Sequence, residues 1–167
     1  IINRYNNGEL SHKDSIDFPV NKKYETLKNQ RIVYGGGGIM PDYFVPIDTT
    51  YHSKFLSKII NRNLIYRFSF NYTDKYRAQL NRFKKVENLN QFLIQENLYP
   101  DFLNFAKSEG ISTQGNGVNK SKKLIETRIR AYIARNIMDN EGFYPILNEM
   151  DRSLLKAKEL IEAGKTY

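Results

Sequence analysis

The stretch KSKKLIETRIRAYIARNIM, from Lys120 to Met138, indicates the fold class of this chain more clearly than any other. Its apolar residues recur every three or four positions, which is the period of an α-helix with one buried face. Lys123, Glu126 and Arg130 are expected to face out. The positions expected to point inward are Leu124, Ile125, Ile129, Tyr132, Ile133 and Ile137. The stretch therefore predicts a long amphipathic helix that packs on a helical core.

Further helices are expected on both sides of this one. Asp48, Thr49 and Thr50 are competent N-caps for a first helix. A second helix is predicted from about Leu64 to Phe83, with an apolar stripe at Ile65, Phe68, Tyr72, Tyr76, Leu80 and Phe83. Four shorter helices are predicted at Leu89 to Leu98, Asp101 to Ser108, Phe143 to Asn148 and Arg152 to Ala163, the last one ending at Gly164. Ile111 to Asn119 contains Gly115-Asn116-Gly117 and is predicted to be a loop.

The part of the chain before the first helix has a different character. Residues 1–29 are polar and show no clear period, so we expect an irregular or extended lead-in from a missing upstream core. Arg31 to Tyr34 and Ile39 to Ile47 are rich in β-branched and aromatic residues on either side of four glycines. They predict two extended segments around a glycine-rich connection, in which at least one of Gly35 to Gly38 has a positive φ.

The predicted architecture is therefore α+β. It comprises the lead-in over residues 1–29, a β segment with a glycine-rich turn over residues 30–50, and a mainly α-helical C-terminal domain of roughly six helices over residues 51–167. No apolar run approaches the ~20 residues that a membrane-spanning helix needs. No internal repeat is visible.

Composition excludes some chemistry and leaves other chemistry open. The chain has no cysteine, so it cannot use a disulfide framework, a thiol nucleophile or a thiolate metal site. Its 26 Lys and Arg residues exceed its 18 Asp and Glu residues, which gives a net charge of +8. Such a balance attracts anionic partners. A solvated lysine-rich surface is the preferred interpretation, and a basic helical nucleic-acid-binding module is the alternative.

The sequence offers few residues for catalysis or metal binding. His12 with Asp14 and Asp17, or His52 near Asp48, could be drawn as metal ligands, but neither group has a third ligand at suitable spacing. The two histidines also lack the Gly-x-Ser-x-Gly context of a serine-histidine triad. We therefore assign no catalytic residue, no metal ligand, no cofactor-binding residue and no cofactor.

The four glycines after a predicted strand invite comparison with a phosphate-binding loop. Such a loop requires Gly-Lys-Ser/Thr and a helix after its first glycine. Here Ile39-Met40-Pro41-Asp42 follows, and the proline disfavours a helix at the position where phosphate would bind. The glycines are better explained by a bulge or tight turn.

The run RIVYGGGGIMPD from Arg31 to Asp42, followed by VPIDTT from Val45 to Thr50, resembles a segment of the carboxy-terminal processing, or tail-specific, serine peptidases. The four-glycine form resembles versions from Bacteroidetes-type bacteria. Gly35 to Gly38, Pro41 and Asp42 are its diagnostic residues, as backbone shapers rather than reactants. The resemblance extends over about Gln30 to Leu160. Three later strings are similar to the C-terminal helical region of that family, in the same order: Leu64–Tyr72, Arg130–Asn136 and Glu141–Asp151.

In that family a serine nucleophile and a lysine base hydrolyse peptide bonds near protein C-termini, and a PDZ module helps to bind the substrate tail. The family's lysine lies in a Gly-Lys-Gly segment, whereas the Gly164-Lys165 pair here is followed by Thr166-Tyr167, so no catalytic residue is carried over. The resemblance implies a structural, accessory C-terminal piece of such a peptidase, inactive alone. Its implied partners are the upstream peptidase core and PDZ module of the same parent chain, and the parent's protein substrates. Its implied location is the periplasm or cell envelope. The segment Arg31 to Ile47 is further expected to pair with a second copy or to fold onto its own helices.

Overall fold

The computed structural model divides the chain into two compact units, residues 1–48 and residues 49–167. It describes residues 6–12, 15–16, 22–28, 30, 32–35 and 42–165. The first unit contains a two-stranded antiparallel sheet, and the second is built from helices. The predicted fold class, a short β segment followed by a mainly helical region, is confirmed at this level.

The small sheet pairs β1 (Lys23–Glu25) with β2 (Ile32–Tyr34), in the register that places Tyr24 opposite Val33. The sequence predicted two extended segments, Arg31 to Tyr34 and Ile39 to Ile47, on either side of the glycines. β2 lies in the first of these segments, whereas residues 42–47 of the second form no strand, and β2 pairs instead with β1, in the stretch predicted to be irregular or extended. A strand of three residues is too short to show an alternating pattern, which explains why β1 was not predicted.

The first glycine of the run makes room for an aromatic ring. The Gly35 N–H donates to the carbonyl oxygen of Lys22 at 2.8 Å, next to the β1–β2 pair. A Cβ at Gly35 would lie 2.9 Å from the Tyr24 ring. Gly35 does not have a positive φ. Gly36 to Gly38 and Pro41 lie outside the described residues, so the prediction of a positive φ in this run remains a prediction.

The helical unit contains six α-helices in the described part of the chain. They are α1 (Lys54–Asn61), α2 (Leu64–Leu80), α3 (Val86–Glu96), α4 (Tyr99–Ser108), α5 (Asn116–Leu147) and α6 (Arg152–Glu162), with a short 3-10 turn at Asn148–Met150 before α6. Gly164, with φ 67°, follows the last helix as predicted.

Helix α5 lies against most of the other helices and supplies the centre of the core. Ile125, Ile129 and Ile133 are fully buried, as their helical spacing predicts. The rest of the predicted inward face of α5 and the predicted stripe of α2 are buried or half-buried. The remaining fully buried large apolar side chains come from α1 to α4 and from the end of α5: Ile59, Leu64, Leu80, Leu89, Leu93, Phe102 and Ile146.

The N-termini of α1 and α5 are joined by serine hydroxyls. Ser53, rather than Asp48, Thr49 or Thr50, caps α1, since its Oγ accepts from the Leu56 N–H at 3.0 Å. The same Oγ contacts the Oγ of Ser121 at 2.7 Å, and the Ser121 hydroxyl donates to the carbonyl oxygen of Tyr51 at 2.7 Å. Helix α5 begins at Asn116, which lies inside the segment from Ile111 to Asn119 that was predicted to be a loop. A Cβ at Gly117 would lie 3.2 Å from Ser53, so this glycine permits the close approach.

Helix α5 reverses direction near the predicted end at Met138. Met138 and Asp139 have non-helical backbone angles, with φ 51° and ψ −141° at Asp139. Ala134 and Gly142 would be about 12 Å apart along a straight helix. Instead, a Cβ at Gly142 would lie 2.5 Å from the carbonyl oxygen of Ala134. The last turns of α5 therefore pack back on the helix that precedes them.

Candidate functional site

The three helical strings that carry the family resemblance contact one another in the folded unit. Tyr66, in the first string, meets Tyr132, in the second, with ring centroids 5.6 Å apart. Tyr132 in turn meets Phe143, in the third string, at 5.4 Å. A guanidinium nitrogen of Arg130 lies 3.4 Å from a carboxylate oxygen of Glu149, which joins the second and third strings again. Residues far apart in the chain thus form one connected cluster.

Buried hydroxyls strengthen the contact between α2 and α5. The Ser69 hydroxyl lies 2.8 Å from the carbonyl oxygen of Ile65 and 3.3 Å from that of Ile129. The side-chain amide of Asn136 donates to Oγ1 of Thr73 at 3.1 Å. Ser69 and Thr73 are completely buried, so a lost partner would leave a costly unsatisfied group. These bonds fix the register of α2 along α5.

The position of Arg130 on the helix predicted that it faces solvent, and this prediction is wrong because its side chain is largely buried. Its side chain is 13% exposed, and its guanidinium donates to the side chains of Asn90, Thr127 and Glu149. The Thr127 and Glu149 contacts measure 3.2 and 3.4 Å. The forked, multi-donor guanidinium can hold several acceptors at once. Arg130 therefore joins α5 to α3 and to the 3-10 turn.

A cavity of about 420 Å³ lies beside Arg130. Leu93, Leu98 and Ile129 contribute apolar surface, while Lys123 and Glu126 bring charges of opposite sign. Its volume falls within the range of small-molecule sites. The Arg130 guanidinium already donates to three acceptors within the protein, so it is not free to select a ligand for this cavity.

Tyr99 forms part of the same cavity wall and is kept protonated. Burial, reinforced by the charge of Glu126, raises the pKa of Tyr99 to about 12. The hydroxyl group donates to the carbonyl oxygen of Val118 at 2.7 Å. Tyr99 thus serves as a neutral donor that ties the start of α4 to the start of α5.

A row of five aromatic rings crosses the outer surface of α2 and α5. We call it the aromatic ribbon, and its members, in order of contact, are Phe70, Tyr66, Tyr132, Phe143 and Tyr144. Successive ring centroids lie 6.2, 5.6, 5.4 and 5.3 Å apart. Both ends are exposed, Phe70 by 43% and Tyr144 by 51%. Arg135 lies over the Phe143 ring at 5.2 Å, so a cation accompanies the exposed aromatic surface.

A second cleft, of about 390 Å³, lies between α2 and α4. Four aromatic side chains line it, together with Asn71, Lys75 and Asp101. We call the four the aromatic cage, and they are Phe68, Tyr72, Tyr76 and Phe105. Burial, reinforced by the charge of Glu96 and a hydrogen bond to it, raises the pKa of Tyr72 well above its ordinary value, so this ring also remains neutral. The helical spacing of Phe68, Tyr72 and Tyr76 indicated burial, whereas Asp101 and Phe105 gave no sign in the sequence that they complete a cleft.

The residues weighed for metal binding and membrane insertion add no further site. In the part of the chain that the structure describes, no three His, Cys, Asp or Glu residues form a group that could hold a metal ion. Asp14 and Asp17, considered beside His12, lie outside that part. None of the helices in the described ranges is both long and apolar enough to cross a membrane.

Residues 55–139 match the model of a family described as a family of unknown function, DUF8443. The match begins at the start of α1 and ends at Asp139, where α5 reverses. It includes the aromatic cage completely and the aromatic ribbon as far as Tyr132. Neither a curated protein nor a solved structure matches the chain.

Proposed function

The chain belongs to the DUF8443 family of unknown function, and we propose from its own residues that it is an accessory helical module of a carboxy-terminal processing peptidase. In this proposal the catalytic serine and lysine and the PDZ module lie in an upstream part of the parent protein. The parent hydrolyses peptide bonds near the C-termini of other proteins in the periplasm or cell envelope. The module contributes structure rather than reacting groups.

The contact of the three resembling strings is the observation that carries the proposal. Strings that are similar by chance need not meet in space. Here Tyr132 contacts the first string through Tyr66 and the third through Phe143, and Arg130 reaches Glu149. The resemblance therefore falls on residues that pack together, which supports a shared helical structure. It also supports a structural role, because these side chains are engaged with one another.

Two exposed apolar surfaces support docking of the module on the parent's peptidase core. The first is the aromatic ribbon, whose aromatic and arginine composition is typical of interface centres. The second is α6, which has no buried residue and exposes Leu154 by 46%, Leu155 by 48% and Ile161 by 65%. An isolated helix of this length is marginal in water, so a partner would stabilise it.

Activity measurements on two forms of the protein test the proposal. The 167-residue chain and a protein extended upstream of Ile1 through the encoded core are assayed on the same denatured substrate. We expect the extended protein to cut near the substrate's C-terminus, and replacement of its core serine by alanine to abolish cutting. We expect no cutting by the 167-residue chain, since losing a nucleophile–base unit costs about 10⁶ in kcat.

Two outcomes would overturn this proposal. One is an upstream reading frame without a serine-lysine core. The other is turnover by the 167-residue chain in proportion to its concentration.

Docking is tested separately in the extended protein, where replacing Phe70 by Ser should lower its thermal stability more than it lowers that of the 167-residue chain. Self-pairing through residues 31–47 stays a prediction, which light scattering on the chain checks.

A basic nucleic-acid-binding module is the second candidate, because the whole net charge lies in one unit. Residues 49–167 contain 20 Lys and Arg residues against 12 Asp and Glu residues, a net charge of +8, whereas residues 1–48 contain 6 of each. Fluorescence anisotropy with single- and double-stranded oligonucleotides at two salt concentrations tests this candidate. Six phosphate contacts would weaken binding by about 10³ between 50 and 200 mM salt. Salt-independent or undetectable binding excludes it.

A further inference from the structure

The aromatic cage places four rings that contact one another along one cleft. The centroids of Tyr72 and Tyr76 lie 4.7 Å apart. Phe68 is 6.5 Å from Tyr72 and 5.8 Å from Phe105, so the four rings form a connected row along the cleft. The negative ring faces of aromatic side chains attract cations. The cleft is therefore suited to an organic cation with apolar surface around its charge.

The backbone of α2 is irregular at the cage. Tyr76 has φ −113° and ψ 16°, which departs from helical geometry in the interior of the helix. Residues in this sparsely populated region are common at functional sites. The cleft thus coincides with a local departure from regular helix.

Two carboxylates add negative potential to the cage. Asp101 lines the cleft and forms no ion pair in the described part of the chain. Glu96 accepts a hydrogen bond from the Tyr72 hydroxyl at 3.4 Å. Both carboxylates act electrostatically on Tyr72, next to the larger effect of burial. In a unit with a net charge of +8, this cleft combines the Asp101 carboxylate with aromatic rings, and Lys75 is the basic residue of its lining.

Two basic side chains of the protein itself already lie over rings of the aromatic cage. The ammonium nitrogen of Lys75 lies 5.1 Å from the Tyr76 ring centroid, and the guanidinium of Arg67 lies 5.7 Å from that of Phe105. Arg67 is held by a two-pronged ion pair with Glu109 at 2.7 and 2.8 Å. Lys75 has no such partner among the described residues. Lys75 is therefore the cation that an incoming ligand would compete with.

We propose that the aromatic cage binds an organic cation, of the alkylammonium or guanidinium class, at the cleft formed by Phe68, Tyr72, Tyr76, Phe105 and Asp101. The cation is presented either by a free small molecule or by a lysine or arginine side chain of another protein. The four rings supply the apolar and cation–π contacts, and Asp101 supplies the countercharge. This site lies outside the surfaces proposed for docking on the peptidase core and does not depend on that proposal.

A pair of ligands that differ in charge but not in shape tests the proposal. Choline and its neutral carbon analogue 3,3-dimethyl-1-butanol are titrated into the full chain, and the tyrosine and phenylalanine ring resonances are followed by NMR. We expect choline to bind at least about tenfold more tightly, since only choline gains the cation–π attraction of the rings and the attraction of Asp101. Equal affinities for the two ligands would overturn the proposal, as would the absence of choline binding up to about 50 mM.

Two variants with opposite expected effects separate binding at the cage from binding elsewhere. Asp101→Asn removes the countercharge and should weaken choline binding by about threefold to tenfold, while Lys75→Gln removes the competitor and should strengthen it by a similar factor. Their charge-matched controls, Glu141→Gln and Lys158→Gln, lie outside the cage and should leave the affinity unchanged. Because Asp101 and Lys75 are both exposed, the two variants should fold, which circular dichroism verifies. Unchanged affinity in both cage variants would show that the cation binds elsewhere.

The source of the cation is decided by a second set of ligands. N-acetyl methylamides of lysine, trimethyllysine and arginine present the same cations on a peptide backbone. Tighter binding of one of these than of choline by tenfold or more would assign the site to a protein side chain. Equal or weaker binding would assign it to a free small molecule. Either result retains the cage as a cation site.

Discussion

Replacing Gly142 by alanine tests the reversal of α5 directly. A Cβ at this position would lie 2.5 Å from the carbonyl oxygen and 2.9 Å from the carbonyl carbon of Ala134. Favourable contacts between carbon and its neighbours begin near 3.5 Å, so the two backbones would have to separate by about 1 Å. Both obstructing atoms belong to the backbone and cannot rotate away. The variant must therefore open the packing between the two parts of α5.

The expected cost follows from two opposing effects. Overpacking a tightly packed site costs about 1–3 kcal/mol, and the displacement would also weaken the Tyr132–Phe143 ring contact. In a helix, alanine is more favourable than glycine by up to about 1 kcal/mol, which offsets part of this cost. We expect a net loss of about 2 kcal/mol in the free energy of unfolding, which corresponds to about 7 °C in Tm for a chain of this size. Thermal and urea unfolding followed by circular dichroism at 222 nm measure it.

Two further variants define what would refute this reasoning. Glu141→Ala changes an exposed neighbour and should alter stability by no more than about 0.5 kcal/mol. The double variant Ala134→Gly with Gly142→Ala should not recover stability, because the obstruction is the carbonyl group rather than the Ala134 methyl group. Wild-type stability of Gly142→Ala would contradict the packing of the reversed segment. Recovery in the double variant would identify a side-chain obstruction instead.

Three other predictions follow from backbone strain, buried hydroxyls and pH. Asp139 has φ 51° and ψ −141°, a conformation that favours glycine. Asp139→Gly should therefore stabilise the protein by about 1 kcal/mol and raise Tm, and a lower Tm would contradict this prediction. Ser121→Ala removes its bonds to Ser53 and Tyr51 from a buried position and should cost about 1–3 kcal/mol in urea unfolding, whereas Ser57→Ala, which is exposed, should cost little. The hydrogen bond from Arg67 lowers the pKa of Glu109 below its ordinary value of 4.5, so the stabilisation is present above that pH and is lost as pH falls through the folded-state pKa. Glu109→Gln should flatten this part of the pH–stability curve, and an unchanged acid slope would show that the pair contributes nothing.

Apolar spacing was sufficient to predict the helices, because burial of a continuous stripe leaves a regular mark in the sequence. The stripe from Ile65 to Leu80 predicted α2, and the predicted helix end near Met138 is the point where α5 changes direction. The start of α5 was predicted too late, since Gly117 suggested a loop. In the folded chain, Gly117 instead leaves room for Ser53 to approach the start of α5. This need for a glycine arises from a contact between two helices, so the local sequence does not reveal it.

The candidate sites were harder to predict because they depend on side chains from separate helices. Arg130 occupies a position that a helical wheel assigns to solvent, yet Asn90 and Glu149 approach it from α3 and the 3-10 turn. The cage likewise requires Asp101 and Phe105 from α4 to meet Tyr72 from α2. Strand β1 was missed for the opposite reason, since three residues are too few to carry a pattern.

The two surfaces proposed for function differ in what they can reveal about the family. The aromatic ribbon needs Phe143 and Tyr144, which lie beyond the matched residues 55–139 and reach Tyr132 because α5 reverses. The cage lies entirely within the matched residues, and its rings come from α2 and α4. Docking on a peptidase core can therefore be a property of this chain without being one of the family. Cation binding at the cage can instead be examined in any member that has the cage residues, with choline and its neutral analogue as the first ligands.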